Sequence, residues 1–157
     1  MAGTLTKLPS GRGWECGACR ESGVPMRTDV IKPSQQRVLV AEDHPGVSAA
    51  IRRLLVADGF EVVGSVDDGA QVVDEAGRLQ PDIIILDLNM PNRNGIDACR
   101  ELTRMFPRTR TIVVTAEDPD HVRPAALEAG AFAFVEKWAM HTELLPAVRS
   151  ACHELAA

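Results

Sequence analysis

The stretch IIILDLNMPNRNGID, residues 83–97, places four large apolar residues directly before an aspartate, Asp87. Pro91 and Gly95 follow within eight residues. A short apolar run that stops at turn-forming residues is typical of a strand buried on both faces, as in a parallel sheet. The carboxylate at the end of such a strand has two explanations. Either polar residues simply begin there, or the carboxylate takes part in a reaction. The remainder of the chain decides between these two interpretations.

Short apolar runs alternate with amphipathic helical patterns from residue 37 to residue 157. The predicted strands are 38–40, 60–66, 83–87, 111–115 and 132–136. A helical pattern follows each strand, and the last runs to the end of the chain. Five strand–helix pairs predict an α/β fold, a doubly wound five-stranded parallel sheet with helices on both faces. The functional site of such a fold lies outside the carboxyl ends of its strands.

The fourth helical pattern, residues 121–129, contains Pro124. A proline inside a helix lacks an amide hydrogen and clashes with the carbonyl four residues back, at a cost of roughly 3 kcal/mol. Although Pro119 would suit a helix that starts at Asp118, we expect the helix to begin not much before His121, or to bend.

Residues 1–36 are predicted to form a poorly ordered tail, because five glycines and three prolines interrupt them. Cys16 and Cys19 have the spacing of half a zinc site or of a redox pair. A closed zinc site needs four ligands and no second pair is near, while a redox pair should open a helix after a strand. A metal-mediated dimer contact through these cysteines is an alternative, as is a translation start at Met26.

Composition and charge limit the classes of function. The chain is 45% apolar and 25% charged, as is usual for soluble globular proteins. It has no run of about 18 apolar residues that could span a membrane, and its N-terminus has no apolar secretory core, so we expect a cytoplasmic protein. Cys99 and Cys152 fall on apolar helix faces and are predicted core residues.

The net charge is −5, and residues 1–36 contribute +2 with five basic and three acidic side chains, which leaves −7 for residues 37–157. A domain this acidic repels a phosphate backbone, so direct binding to nucleic acid is not expected. Proteins and cations are the predicted partners.

Polar residues gather where four of the strands end: Glu42 and Asp43, Asp87, Thr115 and Lys137. Clustered carboxylates raise each other's pKa unless a cation lies among them. Carboxylate oxygens suit magnesium, which keeps waters and commonly binds a phosphate oxygen as well. The cation and an ammonium would neutralise an arriving phosphoryl group, and Asp87 would be the nucleophile.

In these motifs the chain from about residue 37 to residue 157 resembles the receiver domain of two-component response regulators. The matching residues are Glu42-Asp43, Asp87 followed by Met90, Pro91 and Gly95, Thr115-Ala116, and Lys137. The resemblance implies a flavodoxin-like fold with strand order 2-1-3-4-5. It also implies that a histidine kinase transfers a phosphoryl group to Asp87.

The resemblance assigns further roles. Magnesium would be bound by Asp87 together with Glu42, Asp43 and the backbone carbonyl of Asn89. Lys137 would contact the phosphoryl group and the Thr115 hydroxyl would move towards it, while Phe134 matches the switch aromatic that turns inward; alternatively, Phe134 is a permanent core residue. The family often has a cis proline after the lysine, but here Trp138 follows, and a trans bond is expected.

Asn89 and Glu117 hold the two positions that flank the path of hydrolytic water in receivers, in a pairing similar to that of short-lived chemotaxis receivers. Both leave the path open and can hydrogen-bond a water, so the resemblance implies a phosphoryl lifetime of seconds to minutes. Alternatively, Asn89 only suits the turn and Glu117 is a solvated charge.

The leading functional hypothesis is a stand-alone receiver, since the chain ends with the fifth helix. It would not be an enzyme, but a phosphoacceptor switch that catalyses only its own phosphorylation and dephosphorylation. Its partners would be a histidine kinase or histidine phosphotransfer protein and a downstream protein target, with a phosphorylation-dependent homodimer as an alternative. The rival is an aspartyl phosphatase of the haloacid dehalogenase type, which needs a second aspartate where Asn89 stands.

Overall fold

The computed structural model describes residues 6–7, 14–15 and 36–156. The chain divides into two units, Met1–Val30 and Ile31–Ala157. In the first unit, the described residues are two short strands, Thr6–Lys7 and Trp14–Glu15, which pair antiparallel. The other residues of the predicted tail, including Cys16, Cys19 and Met26, lie outside the described residues, and the interpretations that concern them stay predictions.

The second unit contains one five-stranded parallel sheet. Its strands are β1 (Arg37–Ala41), β2 (Glu61–Val66), β3 (Ile83–Asp87), β4 (Arg110–Thr115) and β5 (Ala133–Glu136). Its helices are α1 (Pro45–Ala57), α2 (Val72–Leu79), α3 (Gly95–Met105), α4 (Pro119–Glu128) and α5 (Met140–Ala156). The strand order is β2-β1-β3-β4-β5, which confirms the predicted fold and the order 2-1-3-4-5.

Two hydrophobic clusters cover the two faces of the sheet. Along β3, Ile84 and Leu86 contribute to the cluster that α2, α3 and α4 cover, while Ile83 and Ile85 contribute to the cluster beneath α1 and α5. All five residues of β3 are buried, since side chains alternate between two covered faces. This double burial explains why the strand is apolar without alternation up to Asp87.

Helix α4 begins at Pro119, so the prediction of a start near His121 is wrong, and the alternative, a bend at Pro124, stays a prediction. The Asp118 side chain accepts a hydrogen bond from the Asp120 amide at 3.0 Å, and Pro119 occupies the first helical position, where no amide hydrogen is needed. Pro124 lies inside the helix and is tolerated there. The capped first turn thus outweighs the loss that Pro124 causes.

The turn from β3 into α3 requires a glycine at position 95. A Cβ atom there would lie 2.4 Å from the Cα atom of Leu88, which is too close for any residue with a side chain. The Asn94 side chain caps α3 by accepting a hydrogen bond from the Ile96 amide at 2.9 Å. The loop therefore returns closely past the end of β3, beside Asp87.

Among the helices of the described residues, none is both long enough and apolar enough to cross a membrane.

Candidate phosphoacceptor and cation site

The strand register brings the predicted site residues to one edge of the sheet. Ala41 pairs with Leu86, so the next residues, Glu42 and Asp87, end neighbouring strands side by side. Asp87 itself pairs with Val114, which places Thr115 one residue further along β4. Thr115 pairs with Glu136, which directly precedes Lys137. Four strand ends therefore converge, as the sequence predicts.

Three carboxylates form the centre of this edge. Oxygen atoms of Glu42, Asp43 and Asp87 all lie within 4.8 Å of one another. Glu42 and Asp87 are buried, at 2% exposure each, whereas Asp43 is exposed. The cluster thus has a buried floor and one side that a ligand can reach.

Lys137 binds both buried carboxylates. Its Nζ atom donates a hydrogen bond to Oδ2 of Asp87 at 2.9 Å and another to Oε1 of Glu42 at 3.1 Å. The lysine side chain is 21% exposed, while the two carboxylate side chains are almost fully enclosed. The ammonium therefore stands where it can balance charge that arrives at Asp87.

Glu42 and Lys137 both have shifted pKa values. Burial raises the pKa of Glu42 most, and the nearby charge of Asp87 raises it further; hydrogen bonds from Lys137 and from the His44 amide oppose the shift but do not cancel it. Burial would lower the pKa of Lys137, but its hydrogen bonds to Glu42 and Asp87 outweigh that effect and raise it. One ammonium therefore does not fully compensate the buried negative charge.

The donor set fits a hard divalent cation. Lys137 Nζ lies 2.9 Å from Oε2 of Glu42 but makes no well-directed hydrogen bond to it, so among the described residues this buried oxygen has an ion-pair partner and no hydrogen bond. Three carboxylates with one exposed side suit magnesium, which takes few protein oxygens and keeps its waters.

Thr115 is fully buried at the end of β4. Its hydroxyl oxygen accepts a hydrogen bond from the Glu117 amide at 3.2 Å. The hydroxyl is thus held by the loop that follows β4, and it lies beside the strand that ends on Asp87. The movement of this hydroxyl towards a phosphoryl group stays a prediction.

Phe134 lies on β5, opposite Val113 of β4. It is half-buried and packs against the hydrophobic cluster beneath α4. The guanidinium carbon of Arg123, on α4, lies 5.1 Å from the centre of its ring, within the range of a cation–π contact. Both interpretations of Phe134, as a switch and as a permanent core residue, stay predictions. Its partner on α4 is Arg123.

Asn89 and Glu117 line a common cavity of about 370 Å³ between the β3–α3 and β4–α4 loops, together with Met90 and Val122. Asn89 is exposed and Glu117 is half-buried. The backbone amide of Asn89 donates a hydrogen bond to Oδ1 of Asp87 at 3.1 Å. The two residues therefore lie near each other, as their predicted role requires.

The loop after β5 has Trp138 after Lys137, where the family often has a cis proline. Every peptide bond of the described residues is trans, so the expectation for Lys137–Trp138 is confirmed. A single 3₁₀ turn, Lys137–Ala139, leads directly into α5. Trp138 is 76% exposed and points away from the core.

The end of β2 also contributes a polar residue, which is absent from the sequence predictions. Asp68 accepts a hydrogen bond from the Asn92 side chain at 2.8 Å, and the Gly69 amide donates one to the Pro91 carbonyl at 3.1 Å. The rule that selected the other strand ends would have identified Asp68, because it follows β2 by two residues. No pattern in the sequence indicates Asn92 as its partner.

Comparison with known proteins agrees with this geometry. The family model of the response regulator receiver domain matches residues 38–149. Over 114 residues the chain is 37% identical to the response regulator GacA of Pseudomonas viridiflava, covering 72% of this chain and 53% of the relative. Over 126 residues it is 35% identical to the transcriptional regulatory protein PdtaR of Mycobacterium tuberculosis (strain H37Rv), covering 79% and 60%.

Solved structures give the same result. The response regulator domain of Thermotoga maritima CheB superposes with a TM-score of 0.69 at 31% identity, covering 75% of this chain and 96% of that domain. The chain spans a little over half the length of the curated relatives that it matches. The similarity therefore concerns the receiver portion of those proteins.

Proposed function

Because this chain belongs to the receiver domain family of two-component response regulators, we propose that Asp87 accepts a phosphoryl group from a histidine kinase or a histidine phosphotransfer protein. The observation that supports this most is the buried Asp87 carboxylate bonded to Lys137 at 2.9 Å, beside two further carboxylates. A structural ion pair would need one carboxylate, and this cluster has three.

In the proposed step, an Asp87 carboxylate oxygen forms a bond to phosphorus while the bond between phosphorus and the donor's imidazole nitrogen breaks. The products are an aspartyl phosphate and a free imidazole on the donor. Magnesium, held by Glu42, Asp43, Asp87 and the Asn89 carbonyl, would supply positive charge to the phosphoryl oxygens.

The chain's own residues would act around this step. The Lys137 ammonium would stay near Asp87 and pair with a phosphoryl oxygen, since phosphoryl transfer depends mainly on positioning and charge balance. The Thr115 hydroxyl would donate a hydrogen bond to another phosphoryl oxygen. Its movement would vacate space beside β5 that Phe134 could occupy, and this would carry the change to the face formed by α4 and β5.

We propose that the protein acts as a signalling switch in the cytoplasm and is not an enzyme with a separate substrate. Its turnover would be limited to phosphorylation and hydrolysis at Asp87. Output would come from contact with a downstream protein, with a phosphorylation-dependent homodimer as an alternative. The net charge of residues 37–157 disfavours direct contact of this domain with nucleic acid.

The proposal is tested by exposing the full chain to acetyl phosphate with and without magnesium and measuring bound phosphoryl by intact mass. We expect uptake only when magnesium is present, and none by Asp87→Asn. Asp58→Asn is the matched control, because it removes an aspartate at the opposite end of α1. Undiminished uptake by Asp87→Asn would refute the assignment.

A further inference from the structure

Hydrogen bonds join two loops at the carboxyl edge of the sheet. Oδ2 of Asp68, in the β2–α2 loop, accepts a hydrogen bond at 2.8 Å from Nδ2 of Asn92, in the β3–α3 loop. Beside it, the Gly69 amide donates to the Pro91 carbonyl at 3.1 Å. We refer to these four residues, 68, 69, 91 and 92, as the loop clasp.

The clasp is closely packed. A Cβ atom at Gly69 would lie 3.0 Å from the carbonyl oxygen of Arg93 and 3.1 Å from the Arg93 Cβ atom, so a larger residue there would push the two loops apart by a few tenths of an ångström. The second oxygen of Asp68 accepts a hydrogen bond from the Ala70 amide at 2.8 Å. Both oxygens of this carboxylate are therefore used, and its orientation is fixed.

Asn92 has a backbone conformation that favours its role. Its φ angle is +66°, in the left-handed region, where asparagine is tolerated better than most residues. The tight turn directs its side chain back to Asp68. The clasp therefore depends on both the conformation and the amide group of Asn92.

The segment between Asp87 and the clasp is short and held at both ends. The backbone amide of Asn89 donates a hydrogen bond to Oδ1 of Asp87. Met90 is buried in the core, and the clasp holds Pro91 and Asn92. Because only four residues separate Asp87 from Asn92, fixing both ends leaves the peptide of Asn89 little freedom. The position of its carbonyl thus depends on a loop that belongs to a different strand.

We propose that Asp68 and Asn92 are positioning residues that hold the Asn89 backbone ready for cation binding, although neither contacts the cation. This inference rests on the proposed function, which assigns the Asn89 carbonyl as a magnesium ligand. Without the clasp, the loop would have to be ordered at each binding event, and that loss of conformational entropy weakens affinity.

The sharpest variant is Asn92→Gly, since glycine keeps the positive φ angle and removes only the side chain. We expect the dissociation constant for magnesium, measured by titration calorimetry on the full chain with magnesium chloride, to rise at least threefold. At saturating magnesium, the rate of phosphorylation by acetyl phosphate should return to within twofold of that of the unaltered chain. A variant that merely lowered stability would, while still folded by circular dichroism, bind magnesium with the dissociation constant of the unaltered chain.

A second pair of variants tests the bond itself. Asn92→Asp should weaken magnesium binding, because its carboxylate would face that of Asp68 with no donor between them. Adding Asp68→Asn supplies the donor from the other side and should restore affinity. Asp58→Asn, which breaks an ion pair with Arg149 at the far end of α1, should leave affinity unchanged.

The outcomes separate the two proposals. Magnesium binding by Asn92→Gly that equals that of the unaltered chain would overturn the positioning role alone. Failure of the reciprocal pair to recover affinity would also count against it. Absence of magnesium binding by the unaltered chain would overturn the proposed function, and this inference with it.

Discussion

The Lys137 ammonium nitrogen lies 2.9 Å from Oδ2 of Asp87, a residue fifty positions earlier in the chain. The same nitrogen bonds to the buried carboxylate of Glu42. A single positive charge is thus shared between two buried negative charges, and the arrangement can accept a further cation.

Removing this ammonium should destabilise the protein when no divalent cation is added. In Lys137→Met the apolar stem is kept, but Glu42 and Asp87 face each other without a counter-charge. Breaking a fully buried pair costs roughly 3–5 kcal/mol, and the partial exposure of Lys137 reduces this to about 1–3 kcal/mol. Urea unfolding should show this loss at pH 8, with partial recovery in magnesium.

The pH dependence of that loss has a defined sign. A carboxyl group whose pKa is raised in the folded state destabilises the fold above that pKa, and the penalty disappears as pH falls through it. The deficit of Lys137→Met should therefore shrink towards pH 5. Arg104→Met, an exposed change on α3, is the control and should show no such trend. An equal deficit at both pH values would contradict the charge argument.

Magnesium affinity should fall in mild acid. The pKa of Glu42 is raised above its ordinary value by burial and by Asp87, and the protonated carboxyl cannot hold a cation. Calorimetry should show weaker binding at pH 5 than at pH 7.5, with proton release on binding at the lower pH. In Glu42→Gln the affinity should be lower and its pH dependence weaker; an unchanged profile would exclude Glu42 as a ligand.

Phe134 should change its environment on activation if it is the switch aromatic. With fluorine-labelled phenylalanine, beryllium fluoride plus magnesium should shift the Phe134 resonance more than those of Phe60, Phe106 and Phe132. Arg123→Ala should enlarge the fraction already shifted, because the contact at 5.1 Å with the present ring position is lost. A Phe134 resonance that does not respond would identify a permanent core residue.

The aspartyl phosphate should decay within seconds to minutes. Asn89 and Glu117 border an open cavity of about 370 Å³ through which water can approach. Replacing both with leucine should lengthen the lifetime several-fold, equivalent to roughly 1 kcal/mol on the barrier. Loss of label should be followed after rapid removal of acetyl phosphate. A lifetime of hours in the natural chain would contradict the prediction.

The tail should be dispensable for folding of the sheet domain. Residues before 37 contain too little apolar sequence to offset an ordering cost of roughly 1–2 kcal/mol per residue. A shortened protein that begins at Met26 should unfold within a few degrees of the full chain in a thermal scan. A much lower midpoint would show that the tail stabilises the domain.

Much of the fold and site could be predicted because the strands are short, apolar and end on polar residues. Strand β3 was predicted with its observed bounds, since burial on both faces leaves no ambiguity about where it ends. Convergence of Glu42, Asp87 and Lys137 followed from the rule that parallel strands share a carboxyl edge.

The remaining features depend on contacts between distant parts of the chain. The Asp68–Asn92 bond requires a particular turn at Asn92, which residue types alone do not specify. The sequence pattern places the start of α4 too late, because the cap that Asp118 provides opposes the penalty at Pro124. The contact of Arg123 with Phe134 likewise arises from the docking of α4 on β5.

The most direct test of the central claim is to locate the phosphoryl group. After treatment with acetyl phosphate and magnesium, borohydride reduces an aspartyl phosphate to homoserine, which peptide mass spectrometry can place in the sequence. We expect homoserine at position 87 and at no other aspartate, and none without magnesium. Homoserine at Asp43, or phosphoryl on a residue outside the three-carboxylate cluster, would contradict it.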